Sequence, residues 1–295
     1  MITLLTKRKL MKTIQLFILV IVTSSNVTFA QEYTREKSKL AFARTKVVPI
    51  KDTKNNRQYE LYIRLPEKYA EKTDVKHPVI YYTDALWHVE ILSGATEYIL
   101  ENAILVGISW QTDISEELKK IKAHMSRFRD YSFVKSKKPA HQAKYQFGQA
   151  NKHLDFIRND VIPYVEGNYR TDSAQRTYFG YSLGGGFGGY ILLTQPNTFK
   201  NYILGSPSKG STPHLYKLGS SEALKHKALN VNVFISYGKQ EQALGKRADQ
   251  FIALLKARKD QSLFLKHIIV EGTHQTAFPM TTLRGIYWLA NQLKK

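Results

Sequence analysis

The residues most able to do chemistry in this chain lie in Gly180-Tyr-Ser-Leu-Gly184, which closes an apolar run from Arg176 and opens a glycine-rich segment. A strand that feeds a helix through so sharp a turn leaves no room for side chains two residues either side of the central one. Glycines therefore flank a serine held out at the sheet edge, the arrangement of a nucleophile elbow. Ser182 is the expected nucleophile. Gly184, Gly186 and Gly189 also satisfy the G-x-G-x-x-G spacing of a dinucleotide-binding turn. That reading requires an acidic residue about 20 positions on for the ribose hydroxyl, and Tyr190 to Ser221 contains no Asp or Glu. It fails, and no Gly-Lys-Ser/Thr is present to make a P-loop.

A serine hydroxyl needs a base within hydrogen-bond reach and a third group to orient that base. Of nine histidines, His274 is the expected base, because Glu271-Gly-Thr-His-Gln275 follows an apolar strand where a loop can reach back over the sheet edge. Triads built on such an elbow run in chain order serine, acid, histidine, which confines the acid to the interval between Ser182 and His274. Glu241, just after the apolar stretch 231–237, fits best. Asp249 is the second candidate, but it falls inside a helical pattern. A serine–histidine pair without an effective acid is the remaining alternative. The developing oxyanion needs two preorganised N–H donors. Leu183, next to the serine, supplies one; the loop Asp84-Ala-Leu-Trp87 supplies the other, through the backbone of Leu86 or, failing that, of Trp87. Trp87 and His88 could touch substrate, although for His88 a solvated histidine at a helix start is the simpler account. His77, His124, His141, His153, His214, His226 and His267 read as surface or loop residues.

The elements that must position these groups follow from hydrophobic periodicity. Residues 45–50 and 57–65 alternate as an antiparallel strand pair closed by Pro66. Dense apolar strands are expected at 78–83, 103–109, 176–181, 201–206, 231–237 and 263–271, of the kind buried on both faces of a parallel sheet. Helical stretches intervene: one ends near Leu100, and one spans 149–169, where Pro163 should bend or end the last turn. Others follow the elbow, carry Leu244, Ala248, Phe251 and Leu255 on one face, and close the chain at 282–293. Two polar excursions, 111–146 and 207–227, interrupt the alternation and read as cap-like surface segments. The expected fold is α/β, a mostly parallel doubly wound sheet with an antiparallel N-terminal strand pair and its reactive loops at the strand carboxyl ends.

Residues 1–30 have the pattern of an export signal: a basic start (Lys7, Arg8, Lys9, Lys12), an apolar run from Leu16 to Val22 and a small-residue cleavage site ending at Ala30. Met11 would itself make a good start. The apolar run is too short for a comfortable membrane span of about 20 residues, so residues 31–295 are expected as one exported domain, periplasmic or extracellular. The absence of cysteine excludes disulfides, a thiolate nucleophile and a thiolate metal site. The histidines lack ligand spacing, so no metal and no cofactor are expected. Removing the four signal cations from 44 basic residues leaves 40 against 24 acidic, a net of +16. This favours anionic surroundings or an anionic substrate. The cations are scattered and no nucleic-acid motif occurs, so nucleic acid is not an expected partner.

Tyr81-Tyr-Thr-Asp-Ala85, Arg127-Phe-Arg-Asp-Tyr131, residues 156–166, the elbow and Gly272-Thr-His274 together resemble the esterase-D-type esterase family of the α/β-hydrolase superfamily. The siderophore-esterase-like and feruloyl-esterase-like branch is the most similar. The resemblance runs from about Lys46 to the carboxyl end and implies a serine hydrolase using Ser182, Glu241 and His274. This chain departs from the family's usual Asp-Gly at Asp84-Ala85, which bears on the oxyanion loop. Arg127 and Asp130 match a family motif; they are expected to pair under the cap, with substrate contact by Arg127 the alternative. Three activities are compatible with these residues: hydrolysis of a carboxylic ester such as a siderophore lactone or acylated carbohydrate, acyl transfer through the same acyl-enzyme, or ligand binding on a hydrolase scaffold with an unused triad.

Overall fold

The computed structural model describes residues 44–222 and 228–294. The expected signal at 1–30, His226 and the end of the second excursion lie outside the described residues. Eight strands form one sheet in the order β1-β2-β4-β3-β5-β6-β7-β8. They are β1 (Thr45–Asp52), β2 (Arg57–Arg64), β3 (His77–Tyr82), β4 (Ile104–Ile108), β5 (Thr171–Tyr181), β6 (Asn201–Gly205), β7 (Val231–Gly238) and β8 (Leu263–Val270). β1 and β2 run antiparallel, β2 joins β4 antiparallel, and every later pairing is parallel. The expected fold class is observed.

Both faces of the parallel strands are apolar because helices cover both. The register shows it directly: Val79 and Tyr81 of β3 enter one core cluster, while Ile80 and Tyr82 enter the other. The helices are α1 (Ala85–Ile99), α2 (Glu116–Ile121), α3 (Arg127–Asp130), α4 (Pro139–Tyr145), α5 (Ala150–Phe156, Ile157–Val161 and Ile162–Asn168), α6 (Leu183–Thr194), α7 (Thr212–Gly219), α8 (Gln242–Ala257) and α9 (Ala277–Gln292). α1 and α9 cover one face with Leu92 and Leu289, and α5, α6 and α8 the other with Leu154, Phe187 and Phe251.

Two boundaries differ from expectation. Pro163 does not end its helix: Ile157–Val161 forms a π turn, in which the N–H of Ile162 reaches back to the Ile157 carbonyl. This local widening lets the chain pass the proline and continue to Asn168. The closing helix starts at Ala277 rather than 282, because Pro279 is tolerated in its first turn, where the missing N–H would have no partner. The excursion 111–146 contains three short helices and delivers Arg127 to the carboxyl ends of the strands.

Candidate active site

At the carboxyl end of β5, Ser182 adopts φ 56° and ψ −117°, a left-handed conformation that a non-glycine residue rarely holds. The turn requires glycine around it: a Cβ at Gly180 would lie 2.4 Å from the Gly184 carbonyl oxygen, and one at Gly184 would lie 2.5 Å from Thr83 Oγ1. The Ser182 N–H donates to the Gly205 carbonyl at 2.9 Å, fixing the elbow to β6. Ser182 Oγ meets His274 Nε2 at 2.9 Å, and His274 Nδ1 meets Glu241 Oε1 at 2.6 Å. The three residues singled out in the sequence therefore form one connected line. Asp249, the alternative acid, is exposed on α8 and accepts a hydrogen bond from Tyr237 instead.

The loops that carry the acid and the histidine are tied together at their backbones. The Gln240 N–H donates to the Gly272 carbonyl, and Lys239 N–H to that of Val270. Gly272 holds φ +119°, which lets the chain turn back toward Ser182. Glu241 is buried, and burial alone would push its carboxyl up. Hydrogen bonds from His274, Ser206 Oγ (2.6 Å) and the Gly238 N–H (2.6 Å) outweigh it and hold the group below its ordinary value. Ser206 was not singled out in the sequence. Its only signal is a hydroxyl at the end of the otherwise apolar stretch 201–206.

The loop expected to complete an oxyanion hole lines a cleft together with the serine. Leu183 begins α6, where the first amides of a helix have no intrahelical acceptor. Leu86 is the second residue of α1, and the Trp87 N–H already donates to the Asp84 carbonyl at 2.9 Å. Leu86 rather than Trp87 thus retains an amide in the uncommitted first turn. The positive φ of this loop falls on Asp84 (57°), a residue type that tolerates it. Ala85 is already helical, so this position does not require glycine.

Asp84 is buried and is gripped from two sides: Arg127 Nε and Nη2 donate to Oδ1 and Oδ2 at 2.9 and 2.8 Å, and Trp110 Nε1 donates to Oδ1 at 2.6 Å. Burial would raise this carboxyl, but the guanidinium and the indole hold it low. The expected pairing of Arg127 with Asp130 is not observed. Asp130 pairs with Arg129 and Arg57 and accepts from the Tyr59 hydroxyl, in a separate buried network. Arg127 also lies 5.1 Å from the centroid of the Trp87 ring, itself half-exposed at the site mouth. His88 is not solvated. It is buried, its Nδ1 lies 2.9 Å from the Thr83 carbonyl, and burial lowers its pKa to about 4. His77 and His153 are likewise buried rather than on the surface.

Three adjoining clefts meet at Ser182. One of about 390 Å³ is walled by Phe128, Phe133, Phe147, Lys135 and His214. One of about 280 Å³ is walled by Trp87, Tyr181 and Phe278. The third, of about 620 Å³, includes Lys209, Gln240, Gln242 and Gln275 beside Ala243 and Leu244. Among the described residues, no cluster of three or more His, Cys, Asp or Glu could hold a metal ion, and no helix is long and apolar enough to cross a membrane.

A serine on a strand–elbow–helix turn, with an acid and a histidine from later strand ends of a mostly parallel sheet, defines the chain as a serine hydrolase of the α/β-hydrolase fold. The sequence model of the esterase family, described as "Putative esterase", matches residues 53–278, and the chain belongs to that family of carboxylic-ester hydrolases. It is 29% identical over 217 residues to the ferri-bacillibactin esterase BesA of Bacillus subtilis (strain 168), covering 67% of this chain and 71% of the relative. It is 27% identical over 183 residues to the siderophore triacetylfusarinine C esterase of Aspergillus fumigatus, covering 60% of this chain and 58% of the relative. The crystal structure of the BES protein from Bacillus cereus superposes with a TM-score of 0.72 at 22% identity, covering 85% of this chain and 96% of that one.

Proposed function

We propose that the protein hydrolyses a siderophore ester through an acyl-enzyme on Ser182. The observation that carries this reading is His274 lying between Ser182 Oγ at 2.9 Å and Glu241 Oε1 at 2.6 Å. In the proposed cycle His274 Nε2 takes the serine proton as Oγ attacks the ester carbon. Glu241 orients the ring through Nδ1–H and stabilises the imidazolium that forms. The N–H groups of Leu183 and Leu86 receive the oxyanion, and His274 then returns its proton to the departing alcohol. Water, activated by the same histidine, releases the acid and restores the serine.

A siderophore ester as substrate is supported by two relatives, one named a ferri-bacillibactin esterase and the other a siderophore triacetylfusarinine C esterase. The net charge of +20, or +16 without the four cations of residues 1–30, suits an anionic ligand. Cleavage of a signal over residues 1–30 would leave 31–295 as the exported hydrolase; intact-mass analysis of protein recovered from the producing cell tests this, with Gln31 as the expected first residue.

The test of the chemistry is hydrolysis of short-chain nitrophenyl esters by the wild type and Ser182→Ala, with and without chelator, alongside cleavage of a ferric trilactone siderophore followed by mass spectrometry. Loss of the nucleophile should cost about 10⁶ in turnover, and the nitrophenyl ester reaction should ignore chelator. Equal activity in wild type and variant would remove Ser182 from the mechanism. Nitrophenyl ester activity without siderophore cleavage would overturn the substrate assignment alone.

A further inference from the structure

Ser206 follows β6, is fully buried and holds φ 38°, a left-handed conformation disfavoured for a residue with a Cβ. Its N–H is fixed to the Ser236 carbonyl at 2.7 Å. Its Oγ lies 2.6 Å from Glu241 Oε2 and 3.0 Å from the Tyr181 hydroxyl oxygen. The Tyr181 hydroxyl in turn donates to the His274 carbonyl at 2.6 Å, and its ring lies 5.3 Å from the imidazole. Both loops that carry the acid and the histidine are thus gripped by two hydroxyls, on β5 and just past β6.

Counting hydrogens makes the arrangement specific. The chain His274 carbonyl, Tyr181, Ser206, Glu241 has three contacts and, with Glu241 ionised, two hydroxyl hydrogens. A carboxylate and a carbonyl are the stronger acceptors, so they take the hydrogens at the two ends. The Tyr181–Ser206 contact is left as packing. Glu241 Oε2 is then committed to Ser206 and the Gly238 N–H, which leaves Oε1 alone to face His274 Nδ1.

Building on the triad reading above, we infer that Ser206 and Tyr181 are positioning residues for acyl transfer, with Ser206 acting through Glu241 and Tyr181 through the His274 loop. The strained backbone at Ser206 is retained because it aims the hydroxyl at the carboxylate. Glycine there would relax the backbone and delete the hydroxyl, so stability and turnover should part company.

The experiment measures kcat and KM for a nitrophenyl ester, and the thermal midpoint, in Ser206→Gly, Ser206→Ala, Tyr181→Phe, Glu241→Ala and Ser206→Gly combined with Glu241→Ala. Ser206→Gly should melt at or above the wild-type temperature. It should lose roughly tenfold in kcat, as expected for one hydrogen bond to a charged group, with KM changed less than twofold. It should lose nothing further once Glu241 is absent. Wild-type turnover in both Ser206 variants, or an undiminished loss in the Glu241→Ala background, would overturn the inference. Ser182→Ala in the same assay separates this outcome from failure of the triad reading: if that variant stays active, the triad itself is wrong, whatever Ser206 does.

Discussion

Arg127→Ala should cost more stability at neutral pH than at acid pH, because it strands a buried charge. The Asp84 side chain is 1% exposed and that of Arg127 is 11% exposed. Among the described residues, removing the guanidinium deletes two of the three hydrogen bonds to the carboxylate and its one close counter-charge, leaving the Trp110 indole. Breaking such a buried pair costs about 3–5 kcal/mol, which for a domain of this size lowers the melting temperature by about 10 °C. The pH dependence has a definite sign. In the wild type the Asp84 carboxyl is held below 3.8, so its contribution is complete above that value and fades only below it. In the variant burial outweighs the remaining Trp110 hydrogen bond and raises the carboxyl, so stability falls as pH climbs from about 4 toward the raised value. His88, which Arg127 helps to keep neutral, gains a proton more readily beside Asp84 once the guanidinium is gone, and this acts in the same direction. The assay is thermal unfolding of wild type and variant at pH 4.5 and 7.5. The gap between them should be at least 1 kcal/mol smaller at pH 4.5, about one pKa unit, and adding Asp84→Asn should recover part of the loss at pH 7.5. A gap that is the same at both pH values, with no recovery in the double variant, would refute the reasoning.

Two further outcomes are expected. Glu241→Gln preserves the shape of the acid while removing its charge and letting the histidine take the wrong tautomer, so nitrophenyl ester kcat should fall by about 10³–10⁴ in steady-state assays, with the melting temperature little changed. His153 is buried among Tyr59, Tyr131, Phe156 and Phe187, neither ring nitrogen meets a partner among the described residues, and burial lowers its pKa to about 4. Such a histidine favours the folded state only while neutral, so stability drains away as pH falls from 6.5 to 4, about 2 kcal/mol at pH 5. His153→Phe should be neutral or stabilising at pH 7.5 and should remove that part of the acid loss, as read from melts at the two pH values.

The fold was legible because its strands are buried on both faces, so 78–83, 201–206 and 231–237 stand out as dense apolar runs between turn residues. Ser182 was legible for a steric reason: no residue but glycine fits at 180, where a Cβ would meet the Gly184 oxygen at 2.4 Å. Glu241 was separable from Asp249 because it sits at a strand end, whereas Asp249 lies within the helical pattern of α8. Three buried histidines, His77, His88 and His153, were misjudged, the last two although a signal existed. His88 shares an apolar stripe with Leu92 and Ala95, and His153 one with Ala150, Leu154 and Ile157, both at helical spacing. Polarity was given more weight there than position on the helix.

The charge pairings were illegible for a different reason. Asp84 and Arg127 stand 43 residues apart, while Arg127 and Asp130 are neighbours on one short helix. Sequence proximity favoured the second pairing, but α3 is a single turn whose Arg127 reaches Asp84 while Asp130 turns inward to Tyr59, Arg129 and Arg57. Ser206 is the sharper case, since its meaning exists only once β5, β6 and β7 lie side by side and bring Tyr181, Ser206 and Glu241 to one edge. A nucleophile elbow is a local steric pattern and leaves its mark in five consecutive residues. The groups that hold its partners in line are selected by contacts across strands, and a buried serine at φ 38° is the kind of residue that such contacts retain against its own backbone preference.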